Sequence, residues 1–327
     1  MTLPVLGIDI AKLKFNACLI NQSGKLRHKV FANTSTGFEQ LREWLAKQGI
    51  EQLHACLEAT GTYGESLALF LYQAGHTMSV VNPAAVKAFA GSRLSRTKTD
   101  RVDAELIARF CFAQVPPAWS PLPKEVRELQ ALVRRLEALT EMRVAEENRL
   151  EAGITVEAVK ASVEELIAHL SAQIKHTEKL IRAHINTHPA LLEQSQLLDS
   201  IPGIAQTTAA IILSEITDIT QYKSARQVAA YAGLVPRERK SGSSVRGRTR
   251  LSKIGNARLR RALYFPAVTA LRCSRFFQIW AKGLQERGKC KMSVIGAAMR
   301  KLIHLAYGVL KTGKPFDPEW TREAQNA

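Results

Sequence analysis

Val5-Leu6-Gly7-Ile8-Asp9-Ile10 is a short apolar run with one acid inside it. Such a run, bounded by polar residues, reads as a buried strand. A carboxylate there is costly unless it is paired or binds a metal, so Asp9 is the first candidate functional residue. Residues 15–20 predict a second strand, Asn21-Gln22-Ser23-Gly24 a turn, and residues 26–32 a third strand. Thr36-Gly37 opens an amphipathic helix with Phe38, Leu41, Trp44 and Leu45 on one face. A fourth strand over 53–57 ends at Glu58, and residues 61–73 read as a helix. A fifth strand over 77–81 stops at Asn82-Pro83. Helices are expected over 84–90 and 100–112, with a basic polar segment between them.

Three strands joined by short turns suggest an antiparallel meander, and the rest suggests βαβ crossovers. That order is the one of an α/β ribonuclease H-like domain. Asp9 falls in its first strand, Glu58 at the end of its fourth, and Asp100 and Asp103 on one face at the start of its last helix. Four convergent carboxylates suit two Mg²⁺ ions, which serve phosphoryl transfer. Simpler readings stand beside this one. Asp100 also reads as a helix cap, Asp103 as a surface charge and Glu58 as a strand-end residue. Asp9 is the hardest of the four to explain in such a way.

The 327 residues are enough for two or three domains, each with a core. A net charge of +17 points to a polyanionic partner. Cys18, Cys56, Cys111, Cys273 and Cys290 are widely spaced and form no C-x-x-C pair. They support neither a zinc site nor a disulfide framework and fit a reducing, cytoplasmic location. No uninterrupted apolar run reaches membrane-spanning length and no signal-peptide pattern opens the chain, so no membrane role is expected.

Pro116, Pro117, Pro121 and Pro123 mark a linker. Beyond it, Val126, Leu129, Val133, Leu136 and Leu139 recur at helical spacing, as do Val163, Leu166, Leu170, Ile174 and Ile181. The two narrow stripes break near Gly153. They suit an antiparallel hairpin packed on its own domain and a coiled-coil seam between subunits equally. Leu197 to Ile204, with Pro202-Gly203, leads into a small-residue helix from Gln206. This resembles a helix-hairpin-helix, which offers backbone N–H groups near Gly203 to a DNA phosphate; a plain helical turn is the alternative. Further helices are expected over 225–234, 256–271 and 292–310.

Between them, residues 237–261 carry ten Lys or Arg and one acid. Arg237, Arg239, Lys240, Arg246, Arg248, Arg250 and Lys253 are candidate phosphate contacts. Ser241, Ser243 and Ser244 surround Gly242 in a loop that glycine keeps mobile. A serine hydroxyl among guanidiniums has the surroundings that covalent attack on a phosphodiester needs. Spacing does not choose among the three serines, and a merely phosphate-binding loop is the simpler reading.

The chain resembles the transposases of the insertion sequence 110 family, which include Piv-type DNA invertases. The resemblance rests on Gly7-Ile8-Asp9, Leu57-Glu58-Ala59-Thr60-Gly61, Thr97-Lys98-Thr99-Asp100-Arg101-Val102-Asp103-Ala104, Ile201-Pro202-Gly203-Ile204 and Ser241-Gly242-Ser243-Ser244-Val245-Arg246-Gly247. It implies a RuvC-like domain over 1–122, a helical coiled-coil spacer over 123–195 and a mainly α transposase domain over 196–327. It implies a DNA recombinase with Asp9, Glu58, Asp100 and Asp103 as catalytic acids holding Mg²⁺, which Mn²⁺ replaces. Ser241 would be the nucleophile that forms a phosphoserine link to donor and target DNA. It further implies a structured guide (bridge) RNA and a homo-oligomer, dimer or tetramer, whose active sites combine acids and serine from different subunits.

Three other readings fit parts of the sequence. A metal-dependent junction resolvase or nuclease would use the acids alone, with Ser241 as a phosphate contact. A sugar-kinase-like ATPase shares Gly7-Ile8-Asp9 but would need glycine-rich phosphate loops that the chain lacks. A non-catalytic nucleic-acid-binding protein would need only the charge.

Overall fold

The computed structural model describes residues 3–59, 61–92, 99–237, 240–241, 245–246 and 250–319. The chain divides into two compact units, Met1–Pro121 and Leu122–Ala327.

The first unit is built on five strands: β1 (Val5–Ile10), β2 (Lys14–Ile20), β3 (Leu26–Ala32), β4 (His54–Glu58) and β5 (Thr77–Val81). Its helices are α1 (Ser35–Ala46), α2 (Glu65–Gln73), α3 (Pro83–Ser92) and α4 (Asp100–Gln114). The sheet order is β3-β2-β1-β4-β5. β1, β2 and β3 pair antiparallel, whereas β1–β4 and β4–β5 are parallel.

The period of two along each strand sends alternate side chains to two cores. Leu6, Ile8, Phe15, Leu19 and Leu57 join Phe38, Leu41, Leu45, Leu67 and Leu71 of α1 and α2 on one face. Val5, Cys18, Ile20 and Cys56 join Ala104, Ile107, Ala108 and Cys111 of α4 on the other. β1 is therefore covered on both sides, which explains its nearly unbroken apolar sequence.

Gly7 lies on the α4 face, and a Cβ there would sit 2.2 Å from Ala108 N and 2.3 Å from Ala104 O. Only a residue without a side chain lets the helix backbone approach so closely. The Cys111 thiol contacts the His54 carbonyl at 3.9 Å. The C-terminal half of α4 thus lies over the start of β4, and its first turn lies over the strand ends.

In the second unit, α5 (Lys124–Glu151) and α6 (Glu157–Thr187) pack side by side. His184, late in α6, bonds the carbonyl of Glu125, early in α5, at 2.8 Å, so the pair is antiparallel. Its buried stripe is Val126, Leu129, Val133, Leu136 and Leu139 against Leu170, Ile174, Ile181 and Ile185. Those residues share one core with α7 (Pro189–Asp199), α8 (Gln206–Glu215), α9 (Ala225–Tyr231), α10 (Ala257–Ala262), α11 (Tyr264–Cys273), α12 (Arg275–Glu286) and α13 (Lys291–Thr312). α13 is long and apolar enough to cross a membrane by length and composition. Its inner face, Val294, Ala298, Leu302, Ile303 and Ala306, is buried in the core of its own unit.

The single helix expected over 256–271 is two, α10 and α11, and α12 follows without having been foreseen. Pro266 accounts for the split: it has no N–H to continue the ladder and is tolerated only in the first turn of a new helix.

Gly7→Ala should destabilise the first unit by ~3 kcal/mol or more, because backbone atoms of α4 cannot yield to a methyl group. Gly91→Ala in α3, where an added Cβ meets nothing, should be neutral or slightly stabilising. Thermal melts of both variants check this; equal Tm values would contradict the close β1–α4 approach.

Candidate functional site

Asp9 extends the α4-facing side of β1, two residues beyond Gly7, and Glu58 extends the same side of β4, two residues beyond Cys56. The strands are parallel and register Ile8 with Leu57, so Asp9 and Glu58 sit one step further along on neighbouring strands. Both are half-buried. Asp100 and Asp103 are in the first turn of α4, on the continuation of its sheet-facing stripe through Ala104, Ile107 and Ala108. All four acids therefore lie at one end and on one face of the sheet.

Asp100 is not the helix cap. Thr99 takes that position, its hydroxyl accepting from Val102 N–H at 3.3 Å. Asp100 instead pairs with Lys14 at 3.3 Å, both side chains more than half exposed, a contact of small energetic weight. Among the described residues, no three His, Cys, Asp or Glu side chains come close enough together to hold a metal ion. The donor chemistry fits Mg²⁺, a hard ion that takes carboxylate oxygens; the spacing of the acids here is open.

The basic segment, read as a loop from sequence, contains paired backbone. β6 (Pro236–Arg237) pairs with β9 (Arg250–Leu251), and β7 (Lys240–Ser241) pairs with β8 (Val245–Arg246), both antiparallel. The two ladders nest in sequence as those of a hairpin do, and Ser241, opposite Val245, is the last paired residue described in the inner one. The outer register is Arg237 opposite Arg250, and the inner one Lys240 opposite Arg246. Arg239, Arg248, Gly242, Ser243 and Ser244 lie outside the described residues, as do the side chains of Lys240, Ser241 and Arg246. Arg237, Arg250 and Lys253 are described: Arg237 and Arg250 are exposed and Lys253 has a left-handed φ of 56°.

Sequence reasoning missed the root of this hairpin. Asn256 caps α10, its Oδ1 accepting from Leu259 N–H at 3.0 Å. Its Nδ2 donates to Glu215 Oε2 and, at 3.1 Å, to the Tyr231 hydroxyl. Arg258 pairs with Glu137 at 3.1 Å, and Arg261 pairs with the exposed Glu141. Burial holds the Glu137 carboxyl above its ordinary pKa despite Arg258 beside it. Arg260 donates to the Ala232 carbonyl at 3.2 Å. The three arginines of α10 are thus engaged by the protein. The one sequence signal available was Asn256 itself, a preferred N-cap residue directly before a helix.

Gly203 is explained by the fold. Its φ is +92°, and a Cβ would lie 2.4 Å from Pro266 O of α11. The turn between α7 and α8 is packed on that helix, while Ala205, Gln206 and Thr207 at the start of α8 are exposed.

Two family models match this chain. The IS110 DEDD model, described as a transposase, covers residues 6–156, and the model described as transposase IS116/IS110/IS902 family covers residues 195–279. The pilin gene-inverting protein of Moraxella bovis is 36% identical over 321 residues, 97% of this chain and 98% of that protein. The transposase for insertion sequence element IS1328 of Yersinia enterocolitica is 28% identical over 355 residues, 95% of this chain and 98% of that protein. The transposase for IS1111A of Coxiella burnetii is 27% identical, covering 86% and 83% respectively. These matches define a transposase class. Within it, the chain belongs to the IS110 family of transposases.

Asn256→Ala should cost ~1–3 kcal/mol through the lost cap and the Glu215 carboxylate left unpartnered. Asn256→Asp keeps the cap but sets a carboxylate against Glu215, so it should not recover wild-type stability. Chemical denaturation of the three proteins checks this. A fully stable Asp variant would show that the Glu215 contact contributes nothing.

Proposed function

We propose that the chain is a DNA recombinase that cuts and rejoins donor and target DNA through Ser241. The observation that carries this reading is the register of the hairpin. In the outer ladder Arg237 stands opposite Arg250, both exposed, a pairing of like charges that is destabilising by itself and becomes favourable when a polyanion lies across it. Membership of a transposase family, and the pilin gene-inverting activity in the name of one relative, make DNA the polyanion.

In the proposed reaction the Ser241 oxygen attacks a backbone phosphorus. The new O–P bond forms as the bond to the leaving deoxyribose oxygen breaks, and the departing oxygen takes up a proton. The phosphoserine diester keeps the bond energy, so a hydroxyl of the exchange partner can reverse the step and restore a continuous strand without ATP. Arginines of the hairpin would stabilise the charge on the phosphoryl oxygens. Asp9, Glu58, Asp100 and Asp103 would hold Mg²⁺, or Mn²⁺ in its place. When bound, the ion would supply Lewis acidity at the phosphate.

The strand order β3-β2-β1-β4-β5, with its parallel half after an antiparallel meander, supports a ribonuclease H-like, RuvC-like reading of the first unit. The acids and Ser241 belong to different units, which is compatible with a composite active site in a homo-oligomer. The exposed outer half of the α5–α6 hairpin suits association of subunits. The basic excess suits a guide RNA beside DNA.

The test is a recombination assay on DNA carrying the gene's own flanking sequence, with the RNA that copurifies with the protein. Wild-type reactions stopped midway should show a covalent protein–DNA band on denaturing gels. Ser241→Ala should retain nucleic-acid binding and lose the band. A band that persists in Ser241→Ala and vanishes in Ser243→Ala or Ser244→Ala would move the nucleophile. Cleavage by wild type without any adduct would establish a hydrolytic nuclease instead. Asp9→Asn, Glu58→Gln, Asp100→Asn and Asp103→Asn should each lower recombination by at least ~10³-fold, and EDTA should abolish it. Full activity in any one variant would remove that residue from the site.

A further inference from the structure

A second basic feature is built from residues outside the serine hairpin. Beyond α10, between Tyr264 and Phe316, the chain carries ten Lys or Arg and a single acid, Glu286. In this region α11, α12 and the start of α13 enclose a groove of about 360 Å³. Val268, Leu271, Val294 and Ile295 form an apolar floor. Arg272, Lys282 and Lys291 stand around it, all exposed, and among the described residues none has a carboxylate partner within ion-pair distance. Gln278 and Gln285 add amide donors and acceptors.

Phe265, three residues before Val268 on the same side of α11, is 76% exposed, and Met292, beside Lys291, is 65% exposed. Neither is used by the core of the unit. Apolar floor, open aromatic ring and cationic surround are the parts of a single-strand binding surface, where base faces stack and phosphates run along the charges. A duplex, which presents phosphates outward and hides its base faces, would leave the floor and Phe265 without a role. An acidic amphipathic peptide would also match the charge. The ten-to-one excess over this region, however, with Arg272, Lys282 and Lys291 around the groove itself, suits a polyanion's backbone.

We propose that this groove binds an unpaired DNA strand. The proposal rests on the recombinase reading above, since strand exchange must free a strand from its complement. None of the groove's lining residues belongs to the segment that carries Ser241, so the proposal can succeed or fail independently of the chemistry assigned there.

The experiment is fluorescence anisotropy with a labelled oligo-dT, a matching oligo-rU and a duplex of the same length. It is run on the full chain in EDTA, so that no cleavage intervenes and the nucleophile is irrelevant. The variant R272Q/K282Q/K291Q should bind oligo-dT at least tenfold more weakly. Its plot of log K against log [salt] should be shallower by about 2, from three phosphates at ~0.7 each. Phe265→Ala should weaken oligo-dT binding about tenfold, leave the salt slope unchanged and leave duplex binding within twofold. Thermal melts identify any variant that has failed to fold. For such a variant, Ile295→Ser and the single substitution Lys282→Gln report on floor and charge separately, with a smaller loss of the same kind expected from each. Unchanged oligo-dT binding in the triple variant overturns the proposal and leaves the groove to a protein partner. Equal losses for duplex and single strand in Phe265→Ala also overturn it. So does a preference for oligo-rU that alone disappears on substitution.

Discussion

No side chain separates β1 from α4. Gly7 lets the backbone of α4 rest directly on the strand, and Ala104 and Ala108 keep the helix side of the contact small. The rest of the first unit depends on this approach. It sets the height of α4 above the sheet and so the level at which its first turn meets the ends of β1 and β4. Asp9 and Glu58 project from those ends, and Asp100 and Asp103 from that turn. Four carboxylates far apart in sequence come to the same end and face of the sheet because a single methyl group is missing.

The second unit is organised around positive charge. Its few well-placed acids are not spread over the basic surface. Glu137 and Glu215 face the root of the serine hairpin and engage Arg258 and Asn256. That clamps the return strand to the helical core. Arg237 and Arg250, both exposed, oppose each other across the outer ladder, a repulsion that a phosphate backbone would relieve. α5 contributes to both ends of this arrangement. Its apolar stripe belongs to the core shared with α13, and its acids anchor α10. Residues 123–195 and 196–327 are thus joined through one core and one set of ion pairs.

The sequence by itself determined the strand-rich first unit, the two long helices and the basic segment. These signals are local: alternation of apolar residues, apolar spacing along a helix, and composition. It also marked the four acids, since an acid inside the apolar run at Asp9 stands out wherever the strand packs. Three things were decided only by tertiary structure. The hairpin around Ser241 was hidden because its register comes from pairing residues such as Arg237 and Arg250, which no local propensity favours as partners. The clamp at Asn256 was hidden because Glu137, Glu215 and Tyr231 are brought to it from three separate helices. At Gly203 the left-handed backbone and the carbonyl of Pro266 pressing against it require glycine for packing, a reason the linear sequence could not show. In each case the deciding contact lies between segments distant along the chain, and a linear pattern carries no record of it.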